Sequence, residues 1–407
     1  MAAYTSAEIL WLFFVGYLDY LAGYSISMKR YDYIIIGAGA AGLMLAKAMA
    51  KDTFFAQSSI LILDKDTKSN NDRTWCFWEK DEGHFDDIVF KRWDQIYFGG
   101  KEYAETLSIK PYGYKMIRGV DFYKSMLATI TEAPNIDFVV EAVSKVSDRN
   151  GEILITTNNE VYIGNKVFNS IFDYGPAKLQ QKFPVLQQHF VGWFVQTQRP
   201  IFTKEVATFM DFSIPQKGNT RFMYVLPFSE TEALVEYTLF SENLLPKEAY
   251  ENAIASYLKE NLHCTSYEIL GKEQGNIPMT CYNFSVGDTK NMLHIGAAGG
   301  WGKPSTGYTF RNTHKKTQKL VQHLKNQKSL NSFAKRNRFW YYDLLLLDIL
   351  HMDNSMGQSI FESLFKKRKP QYIFEFLDEE SHFFRDLSVI FAAPKMAFIK
   401  ALLKRIF

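Results

Sequence analysis

Gly37, Gly39 and Gly42 stand in G-x-G-x-x-G spacing, and Asp64 lies 22 residues beyond the last of them. In such a loop the first glycine permits a tight turn, the second lets the backbone approach a pyrophosphate, and the third lets helix and strand pack closely. The helix N-terminus that follows presents free amides and the positive end of its dipole to phosphate. The loop Gly37-Ala38-Gly39-Ala40-Ala41-Gly42 is therefore a candidate cradle for a dinucleotide. Asp64, with Lys65 beside it, stands where a carboxylate accepts hydrogen bonds from ribose hydroxyls. A second glycine-bearing segment, Met292–Gly300, includes Gly296. A strand that ends in glycine and small residues is where many flavoproteins close over the isoalloxazine; a purely structural turn is the alternative.

The surrounding elements fit the first motif. Tyr33-Ile34-Ile35-Ile36 reads as a short β-branched strand, Leu43–Ala50 as a helix, and Ser59–Leu63 as a second strand that Asp64 ends. Strand, loop, helix, strand and acid fall in the order of a βαβ unit opening a parallel sheet. Its place near the start of a long chain favours FAD over NAD. Met28-Lys29-Arg30 lies just ahead of the first strand, so residues 1–27 are expected to be an extension that is not native, with a short interfacial helix as the alternative. From about Phe190 to Phe240 the pattern changes to strands. Ser229–Glu232 is a turn joining Phe222–Phe228 to Ala233–Phe240 as a hairpin. From about Leu330 the chain reads as mostly helical, with Tyr341–Leu350 as a buried helix despite Asp343 and Asp348.

Composition narrows the function. The 407 residues exceed one ordinary domain core. Aromatic residues make up 16%, with 34 Phe and 23 Tyr, which implies either an aromatic-rich core or a pocket for a large apolar ligand. A net charge of +3 is too small to suggest nucleic acid. Three cysteines without a C-x-x-C pair, and histidines without ligand spacing, suggest neither a disulfide framework nor a structural metal. No apolar run reaches the ~18 residues of a spanning helix.

At Asn71-Asp72-Arg73-Thr74-Trp75-Cys76-Phe77-Trp78 the sequence resembles the bacterial lycopene beta-cyclase family. Gly192-Trp193, Phe209–Phe212, Arg221–Pro227, Leu234–Thr238, Gly275–Met279 and Gly302–Tyr308 agree in order and spacing. The resemblance implies an α/β fold: a Rossmann-type FAD-binding domain with an inserted antiparallel-sheet substrate domain and a helical C-terminal part. The expected boundaries are 28–180 with 275–330 for the FAD-binding domain, 181–274 for the substrate domain, and 331–407 for the helical region. The implied activity is a redox-neutral, acid-catalysed closure of the linear ends of lycopene, or another linear carotenoid, to beta-ionone rings. It calls for reduced FAD, with NAD(P)H as reductant, in a cytoplasmic protein held peripherally at the inner face of the cell membrane. A flavin-dependent hydroxylase or an isoprenoid reductase of similar fold is the competing reading.

Ring closure needs a carboxylic acid that keeps its proton near neutral pH, and burial provides one by disfavouring the charge. On the strand Ala233–Phe240, Leu234, Glu236, Thr238 and Phe240 share one face. Glu236 is the expected acid if that face points inward; it is solvated if Val235, Tyr237 and Leu239 point inward instead. Many family members carry an acidic pair where this chain has Glu236-Tyr237, so any role of a second acid is open here. Asp211 is a candidate proton acceptor or a hydrogen-bond anchor. Arg73 either contacts flavin phosphate or fixes the Asn71–Trp78 turn. In the tail, Met396, Ile399, Leu403 and Ile406 line one helical face with Lys400, Lys404 and Arg405 off it. That pattern suits either a lipid surface or packing on the core.

Overall fold

The computed structural model describes residues 28–149 and 151–406; the expected extension 1–27 lies outside them. Two seven-stranded sheets and one three-stranded sheet organise these residues. In the first, the order is Ile136–Val140, Ile60–Asp64, Met28–Ile36, Val161–Asn169, Glu152–Thr157, Val143–Arg149, with Met292–His294 pairing on Val161–Asn169. Met28–Ile36 runs parallel to both of its neighbours, and its apolar end is fully buried, as expected of a strand covered on both faces. The helix Ala40–Lys51 starts immediately after the glycine loop and packs against Gly119–Thr131 and Phe310–Lys325.

The second sheet runs Tyr267–Thr280, Val185–Thr197, Glu232–Ser241, Thr220–Pro227, Val206–Asp211, Gln95–Gly99, Ala104–Ser108. The expected hairpin is present: Pro227 pairs with Ala233, and the Ser229 hydroxyl accepts the Thr231 and Glu232 amides at 3.1 and 3.0 Å. Two features differ from the boundaries expected of the sequence. Gln95–Gly99 and Ala104–Ser108, from within 28–180, join this second sheet, and Tyr267–Thr280 runs six residues past 274. Pairing between distant segments leaves no local pattern to read.

One face of the second sheet carries an aromatic core that includes Phe209, Phe222 and Phe240, closed by the C-terminal helices Arg338–Met352, Met356–Lys367 and Pro370–Leu377. The other face, with Val235, Tyr237 and Leu239, packs on the helix Lys247–Glu260. Both faces of Glu232–Ser241 are therefore buried, so neither inward option for Glu236 excluded the other. Among the described residues no helix is long and apolar enough to cross a membrane. Nor does any group of three or more His, Cys, Asp and Glu there form a potential metal site.

Candidate active site

The glycine loop is shaped to leave room for a ligand. Gly37 has φ of +94°, a region that favours glycine. A β-carbon on Gly42 would lie 2.0 Å from the Gly37 carbonyl oxygen, whereas one on Gly39 would meet nothing within 4 Å. Gly39 also caps the helix without a side-chain hydrogen bond, so the first-turn amides of Ala40–Lys51 have no side-chain acceptor there. Asp64 braces the loop: its carboxylate accepts the Ala38 amide at 2.6 Å and the Asp66 amide at 2.9 Å, and it pairs with Lys68 at 3.1 Å. Lys65 is exposed beside it. Gly296, at φ +62°, meets the start of the same helix, where an added β-carbon would stand 3.0 Å from that of Ala41. The loop and the Gly296 turn, distant in sequence, thus converge. This open, glycine-lined helix N-terminus fits the pyrophosphate of a dinucleotide.

Arg73 lies in the Asn71–Trp78 segment. Its guanidinium pairs with Asp72 at 2.8 Å, Asp72 accepts the Tyr123 hydroxyl at 2.8 Å, and the Arg73 carbonyl accepts the Gly119 amide at 2.8 Å.

Beyond this turn, Thr74, Trp75 and Cys76 enter the wall of a large cavity of about 1530 Å³, mouth included. Its other walls come from the aromatic face of the second sheet, the loop Ser305–Thr309 and the C-terminal helices as far as Phe398. Phe190, Phe209, Tyr224 and Tyr308 give it aromatic faces, which stabilise cations without bonding to them. The Gly302–Tyr308 loop is clamped from behind: the buried Lys303 ammonium pairs with Asp343 at 3.0 Å, and the Ser305 hydroxyl donates to Asp343 at 2.6 Å. Asp343, an interruption in an apolar run when read as sequence, is the counter-ion that holds a cavity wall.

Glu236 projects into this cavity and is 6% exposed. Burial, and next the nearby charge of Glu273, push its carboxyl up to about 8, against one opposing hydrogen bond from the Thr238 hydroxyl. It therefore holds a proton at neutral pH in an apolar chamber. Glu273, absent from the residues singled out in the sequence, lines the same cavity and accepts the Thr74 hydroxyl at 2.7 Å. Burial pushes it up to about 7. Its strand reads as solvated, with Lys272 and Gln274 exposed on either side of it. Register alone links Glu273 to the first acid, by placing Gly192 between the two. Asp211 does not line the cavity. A β-bulge lies between Thr208 and Asp211, and the carboxylate accepts the Tyr257 hydroxyl at 2.7 Å and the Ser213 amide at 2.9 Å. The Tyr257 bond links this strand to the helix Lys247–Glu260.

Several known proteins are similar to this chain. A lycopene beta-cyclase of Paracoccus sp. (strain N81106 / MBIC 01143) is 28% identical over 146 residues, 35% of this chain and 37% of that protein. An uncharacterized protein of Methanosarcina barkeri (strain Fusaro / DSM 804) is 22% identical over 229 residues, 52% of this chain and 55% of the other. The matched region thus spans little more than half of these curated relatives at most. Among solved structures, the fold is similar to a flavoprotein/dehydrogenase from Cytophaga hutchinsonii, with a TM-score of 0.60, 13% identity, and 93% of this chain and 100% of that one covered. It is also similar to a geranylgeranyl bacteriochlorophyll reductase-like protein from Thermoplasma acidophilum, with a TM-score of 0.56, 14% identity, and 92% and 96% covered. At these identities the likeness is one of fold, and it bears out the expected α/β flavoprotein architecture with a helical C-terminal part. The family model described as lycopene cyclase protein matches residues 32–403, through both large sheets and the helices behind the cavity, and the chain belongs to that family.

Proposed function

We propose that this chain is a lycopene beta-cyclase, an isomerase that closes the linear ends of lycopene to beta-ionone rings without net redox change, giving gamma- and beta-carotene. The observation that carries this reading is Glu236: a buried carboxyl, pushed up to about 8, on the wall of an aromatic-lined cavity. As general acid it donates its proton to the terminal double bond of the substrate. The aromatic faces around it support the carbocation, and the largely apolar walls give water few partners beside it.

FAD is the cofactor in this reading, held at Gly37–Gly42 with Gly296 on the opposite side and Asp64 and Lys65 at the end of the second strand. Reduced FAD, when bound, supplies negative charge that stabilises a nearby cation in a low-dielectric site. NAD(P)H is the reductant that such a state calls for.

The membrane surface is the proposed source of substrate. The helix Lys395–Ile406 packs through the buried Ala401, and Arg405 is committed to Asp348 at 2.6 Å. Its other side leaves Met396, Ile399, Leu403 and Ile406 exposed, with Phe384 and Phe391 exposed on preceding segments. Ile390, Ala393 and Phe398 line the cavity beneath them. An exposed apolar face that continues into an apolar cavity, flanked by Lys395, Lys400 and Lys404, suits peripheral contact with anionic lipid at the inner face of the cell membrane.

Two measurements test the proposal. Expression of residues 28–407 in a lycopene-accumulating host should convert lycopene to cyclic carotenoid of unchanged mass; a gain of oxygen or of hydrogen would identify a hydroxylase or a reductase instead. Gly39→Val should fold, because its side chain enters open space, but lose bound FAD. A folded variant with stoichiometric FAD would overturn the cofactor assignment.

A further inference from the structure

We infer that Glu273 is the second catalytic carboxylate of this cavity, accepting the proton that ring closure releases while Glu236 donates the one that starts it. The inference rests on the cyclase reading above.

Register brings the two acids together. The strands Glu232–Ser241 and Tyr267–Thr280 lie on either side of Val185–Thr197, and Gly192 pairs with Glu236 on one side and Glu273 on the other. Directly paired residues project from the same face of a sheet. Residues two strands apart are separated by about 10 Å, and an ordinary side chain between them would part them. Gly192 has none. A β-carbon placed there would stand 3.6 Å from the Glu236 β-carbon and 3.3 Å from the Glu273 γ-carbon. The Glu236 β-carbon and the Glu273 stem thus flank the same glycine, with Leu234 Cδ1 2.9 Å from that point, and both acids line the same cavity. An acid at position 237 would not do this. Tyr237 lies on the opposite face, where its hydroxyl accepts from the Arg221 guanidinium at 2.8 Å. The second acid of this chamber comes from the neighbouring strand.

The surroundings give the two acids different duties. Like charges close together in a low dielectric resist double ionisation, so the pair retains one proton. Burial raises both, Glu273 to about 7 and Glu236 to about 8; each accepts one hydroxyl that favours its ionised form, from Thr74 and Thr238 respectively, and the charge of Glu273 raises Glu236 further. In this proposal Glu236 carries the shared proton at the start of the reaction. The other titratable side chains along these walls do not compete: burial holds Cys76, Tyr114, Tyr224 and Tyr308 neutral by pushing each far up, burial raises Tyr342 as well, and Asp343 is bound to Lys303 and Ser305.

The reaction balances with these two groups alone. The Glu236 O–H bond breaks as a C–H bond forms at the terminal alkene carbon, leaving a tertiary cation. The electron pair of the neighbouring double bond forms the ring C–C bond and moves the cation into the ring. A ring C–H bond then breaks, its electrons form the ring double bond, and its proton goes to the Glu273 carboxylate. Transfer of that proton from Glu273 to Glu236 restores the starting state. The pair carries one negative charge before and after.

The test uses FAD-loaded enzyme, chemically reduced, with lycopene in phosphatidylcholine vesicles, and follows kcat against pH. Glu273→Gln keeps the Thr74 hydrogen bond but accepts no proton. It should lower kcat by about 100-fold, with FAD content unchanged, and abolish the fall in rate on the acidic side. Glu273→Asp should retain that fall. Thr74→Val removes the donor that favours ionised Glu273, so it should shift the same fall to higher pH, which a purely structural role would not do. If Glu236→Gln is inactive while Glu273→Gln keeps the wild-type rate and acidic limb, or if Thr74→Val leaves the limb in place, the inference is overturned. If both Gln variants keep the wild-type rate, the acid-catalysed reading itself falls.

Discussion

On the cavity face of the second sheet, Glu236 receives one hydroxyl, from Thr238, and stands near another carboxyl. On the helix face, Asp211 receives a donor on each oxygen, from Tyr257 and from the Ser213 amide. Both acids are buried, at 6% and 4% exposure, so burial alone does not distinguish them. Hydrogen-bond supply does. A carboxylate satisfied on both oxygens is a tether between sheet and helix. One with a single donor, buried beside a second carboxyl on the wall of an apolar cavity, is available for proton transfer.

The sharpest way to break this comparison is Glu236→Gln, which keeps shape and polarity but has no acidic proton. Cyclisation should fall by at least ~100-fold, with bound FAD unchanged. Near wild-type pigment output would return the cavity acid to the status of Asp211.

A second effect separates the faces by pH. The folded-state value of Glu236, about 8, lies above its ordinary value of 4.5, so the native state holds more protons than the unfolded chain between those limits. Stability therefore falls as pH rises through that window and levels off above it. Glu273 adds to this between 4.5 and about 7. Thermal unfolding from pH 5 to 9 should show a declining midpoint, flattened in Glu236→Gln; identical slopes in the two proteins would contradict the buried, protonated state. Activity should likewise decline as pH passes about 8.

Asp211→Asn should behave in the opposite manner. It loses part of the tether to Tyr257 and should lower stability by about 2 kcal/mol, read from denaturant unfolding, while turnover by the folded enzyme stays unchanged. A collapse of turnover in folded protein would place Asp211 in the chemistry. The smallest expected effect is Tyr237→Phe, on the same strand as Glu236 but facing the helix. Losing the Arg221 hydrogen bond should cost about 1 kcal/mol of stability and no activity.

The conformation of the glycine loop was legible because its physics is local. Three glycines, a β-branched strand before them and an acid after the next strand leave few other conformations open. The hairpin at Ser229–Glu232, the helical end of the chain and the apolar stripe of its last helix were legible for the same reason. Other features were visible only as irregularities. Asp343 and Asp348 interrupt an apolar helix, and their partners, Lys303 and Arg405, lie 40 and 57 residues away.

What the sequence determined by itself was the opening βαβ unit, the hairpin at Ser229–Glu232 and the helical end of the chain, with Glu236 as the candidate acid on the family-like strand. What only the tertiary structure decided was the company each residue keeps. Alternation on Glu232–Ser241 could not choose a face for Glu236, because the helix Lys247–Glu260 covers one side and the aromatic cavity the other. Glu273 sits in a strand whose neighbouring residues look solvated, and it became a site residue only when register set it across Gly192 from Glu236. Side-chain periodicity reports whether a residue is covered. Which groups meet depends on pairing between strands distant in sequence, and that is fixed by the packing of the whole fold.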